Sequence, residues 1–225
     1  MKVLLVPILT ILLLNTALAQ QLKWRSLPDA PFEPTSRFED CFFINDSTGW
    51  IIHIDGRVYK TSNGGEIWDL IYSRNPNDVT FRCINFISEQ TGFIGDIQRE
   101  SNADGAVLYK TTDGGSSWSV VTLPDPVPNG LCGLYSLSEY FIYGVGRYYG
   151  SPVFIKSEDG GLNWQSISLD TLARALVDVY FISPDTGFAA GSVNQSGVRG
   201  AVFKTNDGGN TWEVAAISSL TGISS

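Results

Sequence analysis

A short motif repeats four times along this chain and constrains its fold more than any other feature. The motif reads Ser/Thr-x-Asp/Asn-Gly-Gly-x-x-Trp, and each copy directly follows a lysine. Its last residues are Trp68, Trp118, Trp164 and Trp212, so successive copies lie 50, 46 and 48 residues apart. A period in the forties is typical of propellers and solenoids.

A second element precedes the motif and reads Phe-Ile-x-x-x-Thr-Gly-Phe/Trp in three of the four units. The third unit departs from this pattern: it lacks the Thr-Gly pair, and we align its Tyr135 with the first phenylalanine of the others. The two elements together predict four short antiparallel strands in each unit, which is one blade of a β-propeller. The predicted fold is therefore an all-β propeller with about four blades in this chain.

The chemistry of the repeated motif favours a structural role. A Gly-Gly pair supplies the positive φ angles of a tight turn between two strands. The Asp or Asn before it can accept backbone N–H bonds, and the tryptophan offers a large apolar surface that fixes the hairpin. We expect structural roles, and neither metal binding nor catalysis, for Asn63, Gly64, Gly65, Trp68, Asp113, Gly114, Gly115, Trp118, Asp159, Gly160, Gly161, Trp164, Asp207, Gly208, Gly209 and Trp212.

The motif resembles the Asp box, or bacterial neuraminidase repeat. With its upstream element, the unit is most similar to the photosystem II stability/assembly factor-like family, and this resemblance covers residues 22–225. It implies a non-catalytic propeller that serves as a protein-binding scaffold or assembly factor. Sialidases and other glycosidases also carry Asp boxes, so the alternative is a carbohydrate-active protein, enzyme or sugar-binding module, with part of its propeller missing.

The sequence offers little support for an enzyme. Sialidases resemble one another in an early Arg-Ile-Pro motif, and this chain has none. A glycosidase needs two opposed carboxylates. Asp40, Asp96 and Asp178 lie beside predicted inner strands, but nothing in the sequence singles out a pair. We expect Asp96 and Asp178 to bond the backbone or line the channel. His53 is the single histidine, which argues against a histidine metal site or general base. We predict no catalytic residue, metal or cofactor.

The first nineteen residues predict a secretory signal peptide. Lys2 precedes an apolar run over residues 3–14, and Ala17-Leu18-Ala19 is a small-residue cleavage site. Cleavage there leaves residues 20–225 as the propeller, exported to the periplasm, the cell surface or the medium. We predict no membrane span in the remainder, because no other apolar run approaches the required length.

The strand count suggests an incomplete ring. The predicted blades end near the four motif tryptophans, and Trp24 marks an orphan outer strand before the first complete unit. We expect the chain to be the N-terminal part of a longer propeller. A four-bladed ring with one redundant strand and an open arc with exposed edges are the alternatives.

Charge gives a candidate binding surface. The net charge of −8 excludes broad nucleic-acid binding, which requires a cationic surface. One arginine recurs in each loop between the second and third strands, on one face of the propeller, whereas the Asp-box turns lie on the other, more acidic face. A protein is the expected partner and a glycan the alternative, although solvated arginines would give the same pattern. The candidate partner-binding residues are Arg57, Arg99, Arg147, Arg199, Tyr148 and Tyr149.

The chain has three cysteines, Cys41, Cys83 and Cys132. The last two each lie three residues before an aligned aromatic residue, which predicts equivalent positions in neighbouring blades. An exported protein can form disulfides, but innermost strands usually lie too far apart for the bond. We therefore favour three buried small side chains over a bridge between Cys83 and Cys132.

Overall fold

The structure, a computed structural model, describes residues 27, 29–97, 105–146, 150–194 and 200–218. Blade 1 contains β1 (Phe38–Phe43), β2 (Gly49–His53), β3 (Arg57–Thr61) and β4 (Asp69–Ser73). Blade 2 contains β5 (Phe81–Phe86), β6 (Gly92–Asp96), β7 (Leu108–Thr111) and β8 (Ser119–Val120). Blade 3 contains β9 (Gly133–Ser136), β10 (Ile142–Gly146), β11 (Val153–Ser157) and β12 (Gln165–Ser168). Blade 4 contains β13 (Ala173–Phe181), β14 (Gly187–Val193), β15 (Gly200–Thr205) and β16 (Glu213–Ile217).

Each blade is one antiparallel sheet whose four strands pair in chain order. The predicted all-β architecture of four-stranded antiparallel blades is confirmed. The motif tryptophans lie immediately before the fourth strands, whereas Trp24 and the predicted signal peptide fall outside the described residues. None of the described residues forms a helix with the length and hydropathy needed to cross a bilayer.

The Thr-Gly pair of the upstream element has a steric cause. In blades 1, 2 and 4 this glycine pairs with the phenylalanine that begins the upstream element, at the end of the first strand. The phenyl ring lies over the glycine. A Cβ on Gly92 would lie 2.6 Å from the ring of Phe86, and a Cβ on Gly187 would meet Phe181 at the same distance. No larger residue fits without displacing that ring.

Blade 3 solves the same packing problem in reverse. Ile142 occupies the glycine position there, and the residue opposite it is Ser136. The small and large side chains have changed places across the strand pair. The alignment of Tyr135 with the phenylalanines is therefore wrong by one residue, because Ser136 is the structural equivalent.

Neighbouring blades pack face to face through one recurring contact. In blades 1 to 3 the second residue of the second strand is aromatic and points to the following blade. Trp50 stacks on Phe86 with ring centroids 3.6 Å apart, and Tyr143 stacks on Phe181 at 3.5 Å. Phe93 has no ring to stack on, since Ser136 stands at that place, and it contacts the edge of Trp164 instead.

The second glycine of each Asp box also serves this contact. Gly115, Gly161 and Gly209 have positive φ angles, and each lies against an aromatic side chain of the preceding blade. A Cβ on Gly161 would lie 2.4 Å from the ring of Phe93. The Trp50 indole adds a hydrogen bond from Nε1 to the Gly114 carbonyl, 2.9 Å long. The turn thus needs glycine both for its backbone and for the packing of the neighbouring blade.

The lysines before the first three Asp boxes reach toward the next box. Lys110 Nζ donates to the carbonyls of Gly160 and Gly161 at 3.1 and 3.3 Å. Lys156 Nζ donates to Asn210 Oδ1 at 3.3 Å. This role is not visible in the sequence, because the acceptor of each lysine lies one full unit further along the chain.

We call the contact between two neighbouring blades the joint. Its trailing half consists of the second-strand aromatic, the apolar neighbours of that residue on strands two and three, and the lysine before the Asp box. The leading half is the first-strand face and the Asp-box turn of the next blade. Three hydrophobic clusters correspond to the three joints, between blades 1 and 2, 2 and 3, and 3 and 4. The core therefore lies between sheets.

Candidate functional site

The four Asp boxes share one hydrogen-bond pattern. In the second box, Thr111 Oγ1 donates to Asp113 Oδ1 at 2.8 Å and accepts from the Gly115 amide at 2.9 Å. The same carboxylate accepts from the Ser117 amide at 2.9 Å. Asn63 makes the corresponding contacts in the first box through its amide oxygen. These bonds all lie within the turn, so they hold the hairpin together.

These hydrogen bonds stabilise the charged form of the box carboxylates. Bonds from the Ser117 hydroxyl and amide lower the pKa of Asp113 to about 2. Bonds from the Asn163 amide and side chain do the same for Asp159, whose pKa is also about 2. Thr211 lowers the pKa of Asp207 in the fourth box. A general acid needs a raised pKa, so the boxes are unsuited to that task.

The innermost strands of all four blades line one open cavity of about 420 Å³. The wall includes Asp40, Cys83, Gly133 and Asp178, which stand at equivalent register positions in the four blades. Gly133 is small because a Cβ there would lie 2.8 Å from the Asp178 backbone. This cavity is the central channel that the sequence predicts beside the first strands.

The three candidate carboxylates all bind main-chain amides. Asp40 accepts from the amides of Ile84 and Cys41, and Asp178 Oδ1 accepts from Val179. Burial raises the pKa of Asp40, and the nearby charge of Asp178 adds to that rise. Two of the candidates thus share the channel and also serve as backbone acceptors between or within blades.

The third candidate, Asp96, lies apart from the channel wall. It is fully buried, and its Oδ2 accepts from the Thr80 amide at 2.9 Å. A buried carboxylate bonded to the backbone in this way fixes the approach to β5. Asp96 and Asp178 thus make the backbone bonds expected of them.

Arg57 occupies a dense charge cluster at the start of β3. Its guanidinium binds both oxygens of Asp55 and forms an ion pair with Glu33, and Nη1 also donates to the Tyr59 hydroxyl. The hydrogen bonds to Asp55, and to a smaller extent those to Glu33, raise the pKa of Arg57 above its ordinary value. Its charge is therefore balanced by two carboxylates within the chain.

His53 belongs to the same cluster. Its side chain is fully buried, and Nδ1 lies 2.5 Å from Asp55 Oδ1. Nε2 has no hydrogen-bond partner among the residues that the structure describes, and the ring packs edge-on against Phe38 at 5.1 Å. The imidazole orients Asp55 from inside the blade.

The remaining partner-binding candidates, Arg99, Arg147, Arg199, Tyr148 and Tyr149, fall outside the described residues. No group of three or more histidine, cysteine or carboxylate side chains within the described ranges is arranged to hold a metal ion.

The described cysteines are all free thiols. Cys83 and Cys132 are buried, but Cys41 is exposed, so the expectation of three buried side chains is wrong for Cys41. The one-residue shift in blade 3 also removes the equivalence of the other two: Gly133, and not Cys132, matches Cys83.

Comparison with known proteins agrees with this architecture. The family model described as "Photosynthesis system II assembly factor YCF48" matches residues 16–139. The photosystem II assembly lipoprotein Ycf48 of Synechococcus sp. (strain CC9902) is 32% identical over 150 residues, which make up 65% of this chain and 38% of that relative.

Solved structures share the fold at lower identity. YCF48 from Cyanidioschyzon merolae has a TM-score of 0.58 at 20% identity, covering 84% of this chain and 59% of that one. A GH74 enzyme from Niastella koreensis has a TM-score of 0.56 at 24% identity, covering 78% of this chain and 28% of the enzyme. The chain thus spans less than two thirds of the length of each of these proteins. Because the family model covers more than half of the residues, including blades 1 and 2 in full, the chain belongs to the photosynthesis system II assembly factor YCF48 family.

Proposed function

We propose that this chain is a non-catalytic, exported propeller that binds another protein and assists its assembly. The observation that carries this proposal is the family match over residues 16–139, together with a relative that is named as a photosystem II assembly lipoprotein. The site geometry supports it, because the Asp-box carboxylates are bound within their own turns. A rigid stack of blades then presents its connecting loops to a partner.

The loops between second and third strands form the proposed binding face. Arg57 is already held by Glu33 and Asp55, so it contributes to the scaffold. The binding contribution therefore falls to the loop residues of blades 2 to 4, and arginine and tyrosine are residue types that dominate protein interfaces. These residues are Arg99, Arg147, Arg199, Tyr148 and Tyr149.

Binding to peptides tiled over the subunits of photosystem II would test the partner class directly. We expect saturable binding of one or a few peptides, weakened by Arg99→Glu, Arg147→Glu or Arg199→Glu. The matched control is Arg174→Glu, which reverses one exposed charge on β13. If every loop variant binds like the control, the arginine face is not the binding surface.

A carbohydrate-active protein is the competing function. The likeness to GH74 enzymes concerns the fold alone, and the channel carboxylates already accept main-chain amides. A glycan array and a panel of fluorogenic glycosides separate the two functions. Turnover that disappears in Asp40→Asn or Asp178→Asn would overturn the non-catalytic proposal.

Export is tested by mass spectrometry of the mature protein in a bacterial host. We expect an N-terminus at Gln20 and recovery outside the cytoplasm. An intact N-terminus beginning at Met1 in the cytoplasmic fraction would contradict export.

A further inference from the structure

The innermost strands are irregular at one shared place, beside the central cavity. In blades 1, 2 and 4 the pairing of the first two strands shifts there, and the extra residues are Glu39, Arg82 and Val177. All three line the cavity of about 420 Å³. Such bulges re-aim side chains and are common next to functional sites. The same local device therefore shapes the cavity wall in three blades.

Neighbouring innermost strands contact one another directly around this cavity. The Ile84 amide of blade 2 donates to Asp40 Oδ2 of blade 1 at 2.9 Å. The Cys83 thiol donates to the Leu131 carbonyl at 3.7 Å, which links blades 2 and 3. The close approach at Gly133 links blades 3 and 4. The wall is thus held together by contacts between successive blades.

Negative charge predominates on this wall. Arg82 is the only cation among the described residues that line it, and its guanidinium pairs with Glu39. Glu39 also pairs with Arg37, which is 71% exposed and stands outside the wall. Asp40 and Asp178 bind main-chain amides and have no cationic partner among the described residues. The cavity therefore favours a positively charged ligand.

An unpaired amide lies in the same wall. Asn85 lines the cavity and is 5% exposed, and its amide oxygen makes no hydrogen bond with a described residue. Leaving a buried amide oxygen unpaired destabilises a fold, so such groups are rare. Rotation of the amide exchanges its oxygen and nitrogen with little change of shape, so the oxygen can face the cavity. A ligand there would supply the missing donor.

The position of Asn85 holds an aromatic side chain in each of the other blades. Its equivalents by register are Phe42, Tyr135 and Tyr180, opposite the second-strand aromatic. These aromatics pack between blades: Phe42 stacks on Phe86 with ring centroids 6.3 Å apart, and Tyr135 lies 4.5 Å from Tyr180. Blade 2 therefore replaces a packing residue with a polar one where the wall already carries two carboxylates.

We propose that the central cavity binds a primary ammonium group, with the carboxylates of Asp40 and Asp178 and the amide oxygen of Asn85 as its acceptors. An ammonium group has three donors, which match this set. A calcium ion would require about six to eight oxygen ligands, and both oxygens of Asp40 already accept main-chain amides. The ammonium belongs either to a small free amine or to a lysine side chain of a bound protein. This inference does not rest on the proposed function.

Calorimetric titration of the purified chain with n-butylammonium chloride tests the site, and 1-butanol is the matched neutral probe. We expect saturable binding of the amine and none of the alcohol at the same concentrations. Asp40→Asn and Asp178→Asn should each weaken binding by about 10-fold or more, as for the loss of a hydrogen bond to a charged group. Asp69→Asn removes an exposed carboxylate on β4 and should leave binding unchanged.

Asn85→Leu separates a ligand-binding role from a structural one. Leucine has a similar size and no polar group, so this variant should bind the amine about 10-fold more weakly. It should also unfold at the temperature of the natural chain or above it, because no buried amide is left unpaired. A lower unfolding temperature with unchanged binding would mean that the amide serves the fold, and would overturn its place in the site.

Far-ultraviolet circular dichroism establishes that each variant is folded. If loss of the bond from Ile84 unfolds Asp40→Asn, then Asp178→Asn carries the same test, since its carboxylate bonds only within its own strand. Equal binding of amine and alcohol, or no binding of either, overturns the proposal. Displacement of the amine by micromolar calcium chloride also overturns it, because the site would then be a metal site.

A second titration with Nα-acetyl-lysine methylamide identifies the source of the ammonium. Binding as tight as that of n-butylammonium would assign the site to a lysine of a partner protein. Binding of n-butylammonium alone would assign it to a free amine, and both results support an ammonium site. Peptide binding by the loops is measured on the same variants and should not change. The two proposals therefore fail independently.

Discussion

The ring of Phe86 lies parallel to the ring of Trp50, 3.6 Å away between centroids, and this stack ties blade 2 to blade 1. Both side chains are almost completely buried, and the indole also donates to the next Asp-box turn. The contact joins two units that are separate in sequence. Much of the stability of the fold therefore depends on contacts between sheets.

Replacing the Trp50 indole should measure how much this contact between blades contributes to stability. We expect Trp50→Ala to lower the free energy of unfolding by about 3–5 kcal/mol, because it removes a large buried ring and leaves a cavity. Urea denaturation followed by fluorescence of the other tryptophans measures this change. Phe32→Ala is the matched control, since Phe32 is 82% exposed and should change stability by about 0.5 kcal/mol or less. Equal effects of the two substitutions would contradict the importance of the stack.

The glycine beneath Phe181 should resist any substitution. Gly187→Ala places a Cβ 2.6 Å from a ring that is itself held by Tyr143, so we expect a loss of about 1–3 kcal/mol from overpacking. Gly200→Ala is the control in the same sheet, because the nearest described atom to the Cβ there is Cβ of Ser218, at 3.8 Å. Thermal unfolding of the two variants measures the difference. A Gly187→Ala protein as stable as the control would show that the ring can move aside.

Stability should fall in acid as the Asp boxes protonate. The folded pKa values of Asp113 and Asp159 are about 2, below the ordinary 3.8, so the boxes stabilise the fold above pH 3.8. This contribution is lost as the pH falls from 3.8 through about 2. Urea midpoints measured at pH 5, 3 and 2 should decline for the natural chain. The decline should be shallower in Asp113→Asn with Asp159→Asn, which imitate the natural Asn63.

Thiol labelling should distinguish the three cysteines. Cys41 is exposed and should react first, whereas Cys83 is buried and burial raises its pKa well above that of a free thiol. We expect one fast thiol in the folded chain and three after unfolding, measured with a chromogenic disulfide reagent. Cys41→Ser should remove the fast phase. A single thiol after unfolding would instead establish the bridge between Cys83 and Cys132.

The repeated motif allowed the blades to be predicted because its chemistry is local. A turn that needs two positive φ angles and a nearby carboxylate is visible in eight consecutive residues, as at Thr111–Trp118. The exchange of a small and a large side chain at Ser136 and Ile142 could not be predicted by matching residue types along the chain. In each blade one small and one large side chain face each other across the first two strands, but blade 3 places them on opposite strands.

The candidate site was harder to predict, since its contacts join distant parts of the chain. Glu33 lies 24 residues before Arg57, outside any repeat, so nothing in the sequence indicates that it balances that arginine. The lysine contacts are equally hidden in the sequence because they join residues one full unit apart, as Lys110 and Gly160 are. The carboxylates that bond the backbone were anticipated because a buried aspartate needs such partners.

The joint between blades depends little on the identity of the side chains of the following blade. Lys110 binds main-chain carbonyls, and Phe93 rests on a glycine and packs well even where Ser136 replaces the usual ring. Any unit with an Asp box therefore presents nearly the same surface to the blade that precedes it. Duplication or recombination of whole units in the gene could lengthen or shorten such a protein without coordinated changes on the neighbouring blades.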